Sequence, residues 1–83
     1  MNVNTVTVQI AAKEYSLNST DTPEHVQRTA ALVDRKMREL MAGGVANRES
    51  AAVLAALTYA DELIRAQDDN TRLRRKLDEA AHA

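Results

Sequence analysis

From Ala52 onward, apolar and small residues recur in alternating steps of four and three: Ala52, Ala56, Tyr59, Leu63, Ala66, Asn70, Leu73, Leu77 and Ala80. No charged side chain falls on that series. A seven-residue period held over about four heptads is the pattern of a coiled-coil seam. With Asn70 at an a position, Ala56, Leu63 and Leu77 are also a, and Tyr59, Ala66, Leu73 and Ala80 are d. A single polar residue at a is a device that fixes register and strand number at some cost in stability. Asp69 at g and Arg74 at the following e carry opposite charges across a parallel seam. The expected seam is therefore Ala56, Tyr59, Leu63, Ala66, Asn70, Leu73 and Leu77.

Upstream of Ala66 the apolar stripe is wider. Val53, Leu54, Leu57, Ala60 and Ile64 extend it beyond the a/d line, whereas Asp68, Asp69, Arg72, Arg74, Arg75 and Lys76 surround a narrow seam further on. A wide stripe asks for a globular neighbour and a narrow one only for another helix. The spacing thus predicts a helix packed in a small head over its first half and continuing as a stalk. A single amphipathic helix folded against its own chain is the competing arrangement; the dimeric stalk is the expected one, on the expectation that nothing after it covers the seam.

Ahead of this helix, Val6, Val8 and Ile10 alternate with Thr5, Thr7 and Gln9, and Tyr15 and Leu17 alternate with Glu14, Ser16 and Asn18. This period of two predicts a hairpin between Val3 and Leu17, turning at Ala11-Ala12-Lys13, a segment without the usual turn residues. A lone hairpin is barely stable, so it must lie on a helix, with its edge covered or paired with a second copy. Asp21 with Glu24 fits a capping box, and Thr22 as cap with Pro23 at N1 is an equal alternative. A first helix follows to about Met41. Val26, Ala30, Val33, Met37 and Leu40 face in, and Glu24, Arg28, Asp34, Arg35, Arg38 and Glu39 face out. Gly43-Gly44 ends it and Asn47 caps the next helix. The fold class is α+β: an N-terminal β-hairpin, one short helix, then a long C-terminal helix forming a coiled coil in a dimer or tetramer. Residues 1–47 form the head. Residues 48–83 form the long helix, its first half packed in the head and its second half a stalk.

The chemistry of catalysis is missing from this pattern. His25 and His82 stand far apart and read as solvated side chains. There is no cysteine, and the two glycines are adjacent rather than arranged as a phosphate-cradling loop. Asp61 with Arg65 and Asp68 with Arg72 are i,i+4 pairs that support a helix. An enzyme is not expected, nor any cofactor or metal. A net charge of −1 gives no field favouring nucleic acid or an anionic membrane. The basic cluster Arg72, Arg74, Arg75 and Lys76 is bracketed by acids and lies within the seam, unlike the basic region that precedes a zipper. The N-terminus has neither the basic start nor the apolar run of a signal peptide, and no membrane-spanning segment occurs. With 83 residues, no Phe and no Trp, burial by one copy is marginal and self-association is the natural remedy.

Three stretches carry a resemblance: Val6-Thr7-Val8-Gln9-Ile10 with the turn after it; Ala31-Leu32-Val33-Asp34-Arg35-Lys36-Met37-Arg38-Glu39-Leu40; and Ala51-Ala52-Val53-Leu54-Ala55-Ala56-Leu57. In this order they resemble the ZapA family of bacterial cell-division proteins. The resemblance implies a homodimer with intertwined heads, and a tetramer joined through the long helices. It further implies a cytoplasmic protein at mid-cell whose heads bind FtsZ and crosslink its protofilaments, promoting Z-ring assembly without nucleotide or metal. Lys13, Arg35, Lys36 and Arg38 are the head residues it suggests for FtsZ contact. Two features depart from the family: Ala12 stands where glycine is common in the turn, and the stalk is short, which favours dimers over tetramers. A small coiled-coil regulator binding nucleic acid or another protein client is the alternative function.

Overall fold

The computed structural model describes residues 2–81, in the order β1 (Asn4–Ile10), β2 (Lys13–Ser19), α1 (Pro23–Ala42) and α2 (Arg48–Ala81). β1 and β2 form an antiparallel two-stranded sheet whose register runs from Asn4↔Ser19 to Ile10↔Lys13. Alternation along β1 sends Val6 and Val8 into the core and leaves Thr5, Thr7 and Gln9 exposed.

The turn is tighter than the sequence suggested. Lys13 already belongs to β2, so Ala11 and Ala12 alone reverse the chain, with φ of 51° and 66°. Two left-handed residues are what a two-residue hairpin loop needs to match the strand twist. For alanine that conformation costs about 1–2 kcal/mol per residue, and packing offsets part of it at Ala11. Its methyl is buried against Met37, Ala51 and Ala55. Ala12 is exposed.

Helix α1 is the spine. Thr22 is its N-cap, Oγ1 accepting from the His25 N–H at 3.2 Å, with Pro23 in the first turn. Of the two caps the sequence allows, the Asp21 box is therefore not the one used; the Asp21 N–H donates to Ser19 Oγ at 3.0 Å. The N-terminal half of α1 packs Val26 and Ala30 on Val6 and Val8. Its C-terminal half packs Met37 on Ala11, Ala51 and Ala55, with Val33, Leu40 and Val45 at the margin. The helix stops in a Schellman arrangement: the Val45 N–H bonds to the Leu40 carbonyl at 3.0 Å and the Gly44 N–H to the Met41 carbonyl at 3.2 Å. Gly44 takes φ 112°, which only glycine adopts freely. Asn47 then caps α2, Oδ1 accepting from the Ser50 N–H at 2.8 Å.

The face by which α2 meets the head is not the wide stripe read from the sequence. Ala51 and Ala55, 0% and 1% exposed, make the contact, followed by the half-buried Thr58 and Tyr59. Ala51 and Ala55 bring only methyl groups to this contact. Val53, Leu54, Leu57 and Ile64 stay exposed. The expectation that α2 salt bridges follow i,i+4 spacing holds for Asp61–Arg65 at 2.9 Å. It fails for Arg72, which pairs instead with Asp69 at 3.0 Å.

The result is thin and extended. The Cα atoms span 55 × 40 × 14 Å, with a radius of gyration of 17.6 Å. A compact domain of this length has a radius near ~12 Å. Stable domains pack two layers around a core; this chain supplies little more than one.

Candidate functional site

Three surfaces come out of this architecture. The first is the free stripe of α2. A 34-residue helix extends about 50 Å. On it Leu63, Leu73 and Leu77 are 58%, 56% and 69% exposed. Ala56, Ala66 and Asn70 are exposed along the same line. Tyr59 behaves differently from the other seam residues: half-buried, it turns toward its own head and donates its hydroxyl to the Leu32 carbonyl at 2.8 Å. It therefore locks the root of the stalk to α1. The basic residues Arg72, Arg74, Arg75 and Lys76 are all exposed beside the seam.

The second surface is a groove of about 700 Å³ between the hairpin and the two helices. Ile10, Tyr15, Leu17, Val33 and Met37 give it an apolar lining, and Arg48 and Glu49 stand at the start of α2 on its border. A largely apolar concavity of this size is a natural seat for another element's side chains.

The third surface is the outer side of α1, where Arg28, Leu32, Arg35 and Arg38 share one shallow depression. Leu32 is an apolar side chain half in solvent there. Arg38 is tied to Asp34 at 2.9 Å, and Glu39 lies 3.6 Å from Arg35 and 3.4 Å from Lys36. Among the head cations suggested by the sequence, Arg35 and Arg38 thus lie together on one face. Lys36 is half-buried and shares Glu39 with Arg35, and Lys13 occupies the hairpin tip with its ammonium 5.5 Å from the centre of the Tyr15 ring.

Two side chains that hold the head together are not apparent from the sequence. Asp34, assigned there to the outward face, is half-buried and accepts the Ala11 N–H at 2.8 Å through Oδ1. Arg48, not singled out at all, donates from Nε and Nη2 to the Ala11 carbonyl at 3.1 and 3.0 Å. The one available signal was the carboxylate inside the Val33-Asp34-Arg35-Lys36-Met37 run, a charge set between two inward positions. His25 is exposed at the start of α1, and His82 lies outside the described residues. Among the described residues no cluster of His, Cys, Asp and Glu suits a metal, and no helix is long and apolar enough to cross a membrane.

A one-layer head, an apolar groove and a long helix with an uncovered stripe define a class: small α+β proteins that leave much apolar surface open to association. Within that class the relationship is specific. The chain belongs to the ZapA family, matching the family described as "Cell division protein ZapA" over residues 6–83. A ZapA from Geobacillus thermodenitrificans is 34% identical over 73 residues, covering 87% of this chain and 80% of the relative. A ZapA from Pseudomonas aeruginosa is 40% identical over 63 residues, covering 74% of this chain and 61% of the relative. Among solved structures, a ZapA mutant dimer from Geobacillus stearothermophilus superposes with a TM-score of 0.73 at 29% identity, over 94% of this chain and 92% of that one. A structure described as an "unknown conserved bacterial protein" from Pseudomonas aeruginosa PAO1 gives a TM-score of 0.66 at 33% identity, over 96% of this chain and 99% of that one. The hairpin, short helix and long helix are thus the family's arrangement, and the likeness to a dimer supports self-association of this chain.

Proposed function

We propose that this protein is a cell-division adaptor that pairs with itself and crosslinks FtsZ protofilaments, promoting the Z ring at mid-cell in the cytoplasm. The observation that carries the pairing is the uncovered stripe of α2, with Leu63, Leu73 and Leu77 each more than half exposed. Burying such side chains is worth roughly 1.5–3 kcal/mol apiece. A second copy supplies the matching stripe without any new sequence. Asn70 at its a position selects the aligned register, because a shifted partner would bury its amide against leucine. Further association of dimers through the remaining α2 surface gives a tetramer with heads at both ends.

Each assembly then presents identical heads. Once one head is bound to a filament, its sister is held at high effective concentration near the next binding site, so weak contacts add up to a firm crosslink. Lys13, Arg35, Lys36 and Arg38 are the cations we assign to the FtsZ contact, with no nucleotide, metal or nucleic acid required. Family membership supports the division role. The test is sedimentation of the purified protein with FtsZ and GTP. Co-pelleting and thickened filaments are the expected result; FtsZ filaments that leave the protein in the supernatant would reject the reading.

A further inference from the structure

Ala11 is the point at which all the elements of the head are tied together. The hairpin ladder closes at Ile10↔Lys13, so neither the N–H nor the carbonyl of Ala11 takes part in it. Both lie at a residue only 6% exposed, where unpaired polar groups are costly. Both are satisfied from the helices: Asp34 of α1 accepts the N–H and Arg48 of α2 donates two N–H groups to the carbonyl. The carboxylate is itself held, because Asp34 Oδ2 accepts from Arg38 Nε at 2.9 Å. The turn sequence has no glycine or asparagine to favour φ above zero. Its left-handed geometry is therefore imposed by tertiary contacts. Lys13 follows the turn directly, and Ile10 and Tyr15 on either side of it line the groove.

We infer that Asp34 and Arg48 are positioning residues for partner binding: by clamping Ala11 they fix where Lys13 and the Ile10–Tyr15 wall are presented. The inference rests on the reading that the head grips FtsZ; Arg48 is none of the cations assigned to that contact, while Asp34 borders it, lining the same depression as Arg35 and Arg38. It also gives the Asp34 of the resemblance motif a physical task.

The full-length chain provides the test, with Asp34→Ala, Asp34→Asn and Arg48→Lys. Asparagine keeps a carbonyl oxygen for the Ala11 N–H; lysine keeps the charge of Arg48 without the paired donors. Amide exchange at Ala11, assembly size by sedimentation velocity, and co-pelleting with FtsZ are measured on each. Asp34→Ala is expected to speed exchange at Ala11 about tenfold or more and to weaken co-pelleting several-fold at unchanged assembly size, with Asp34→Asn restoring most of both. Should Asp34→Ala fail to fold, Arg48→Lys is expected to show the same direction with a smaller effect. Unchanged exchange would remove the clamp. Faster exchange with wild-type co-pelleting would remove its positioning role. If the wild type itself does not pellet with FtsZ, the filament reading and the positioning role fall together, while the exchange data still decide whether the clamp exists.

Discussion

Replacing Leu73 by aspartate separates the two states of this protein. In the single chain Leu73 is 56% exposed and far along α2 from the head, so the substitution costs the isolated fold almost nothing. In a paired stalk the same residue is a d position. Burying its remaining exposed half is worth about 1–1.5 kcal/mol per copy, hence roughly 2–3 kcal/mol per dimer. Two carboxylates must then face each other in the seam or take up protons, which adds at least ~2 kcal/mol. The sum, about 5 kcal/mol, corresponds to a dissociation constant raised ~10³–10⁴-fold. Sedimentation equilibrium over a range of concentrations reads this directly, with far-UV circular dichroism at high concentration as the control for folding. A Leu73→Asp variant that dimerises like the wild type would refute the seam. So would a wild type that remains a well-folded monomer at micromolar concentration.

Other substitutions test the head. Ala12→Gly relieves a left-handed alanine at an exposed site, and after the extra chain entropy it should gain about 0.5 kcal/mol, raising Tm by a few degrees. Ala11→Gly gains no such advantage, because it removes a methyl buried against Met37, Ala51 and Ala55; thermal melts of the two variants should move apart. Ala51→Leu forces a larger side chain into a fully buried contact between α1 and α2, with a loss of about 1–3 kcal/mol or more by chemical denaturation. Tyr59→Phe deletes the hydrogen bond to the Leu32 carbonyl and should cost ~1 kcal/mol by the same measurement, without changing assembly size.

Much of the fold was legible because it is written locally. Val6 and Val8 alternate, Val26, Ala30 and Met37 recur at helical spacing, and Gly44 and Asn47 sit where a helix end and a helix start require them. What stayed hidden is tertiary in origin. Ala11 and Ala12 are poor turn formers on any local scale, and Ala11 is held by Asp34 and Arg48 from distant parts of the chain. Ala51 and Ala55 are weakly hydrophobic, so a hydropathy pattern favours the larger Val53 and Leu57. Small size, which is what the close helix contact demands, leaves no mark in a hydropathy pattern. A charged residue such as Asp34 reads as solvent-facing, yet its carboxylate serves a buried amide. The cations of the candidate contact were visible as residues. That Arg35 and Arg38 share a face around Leu32, with Glu39 beside Arg35 and Lys36, required the helix packing.

The decisive measurement compares low-speed and high-speed sedimentation of FtsZ filaments with the wild type and with Leu73→Asp. Single filaments need high speed, whereas crosslinked bundles pellet at low speed. Paired heads require that the wild type bring FtsZ into the low-speed pellet and that the unpaired variant leave it in the supernatant. Equal bundling by a variant shown to be monomeric would contradict the claim that joined copies make the crosslink.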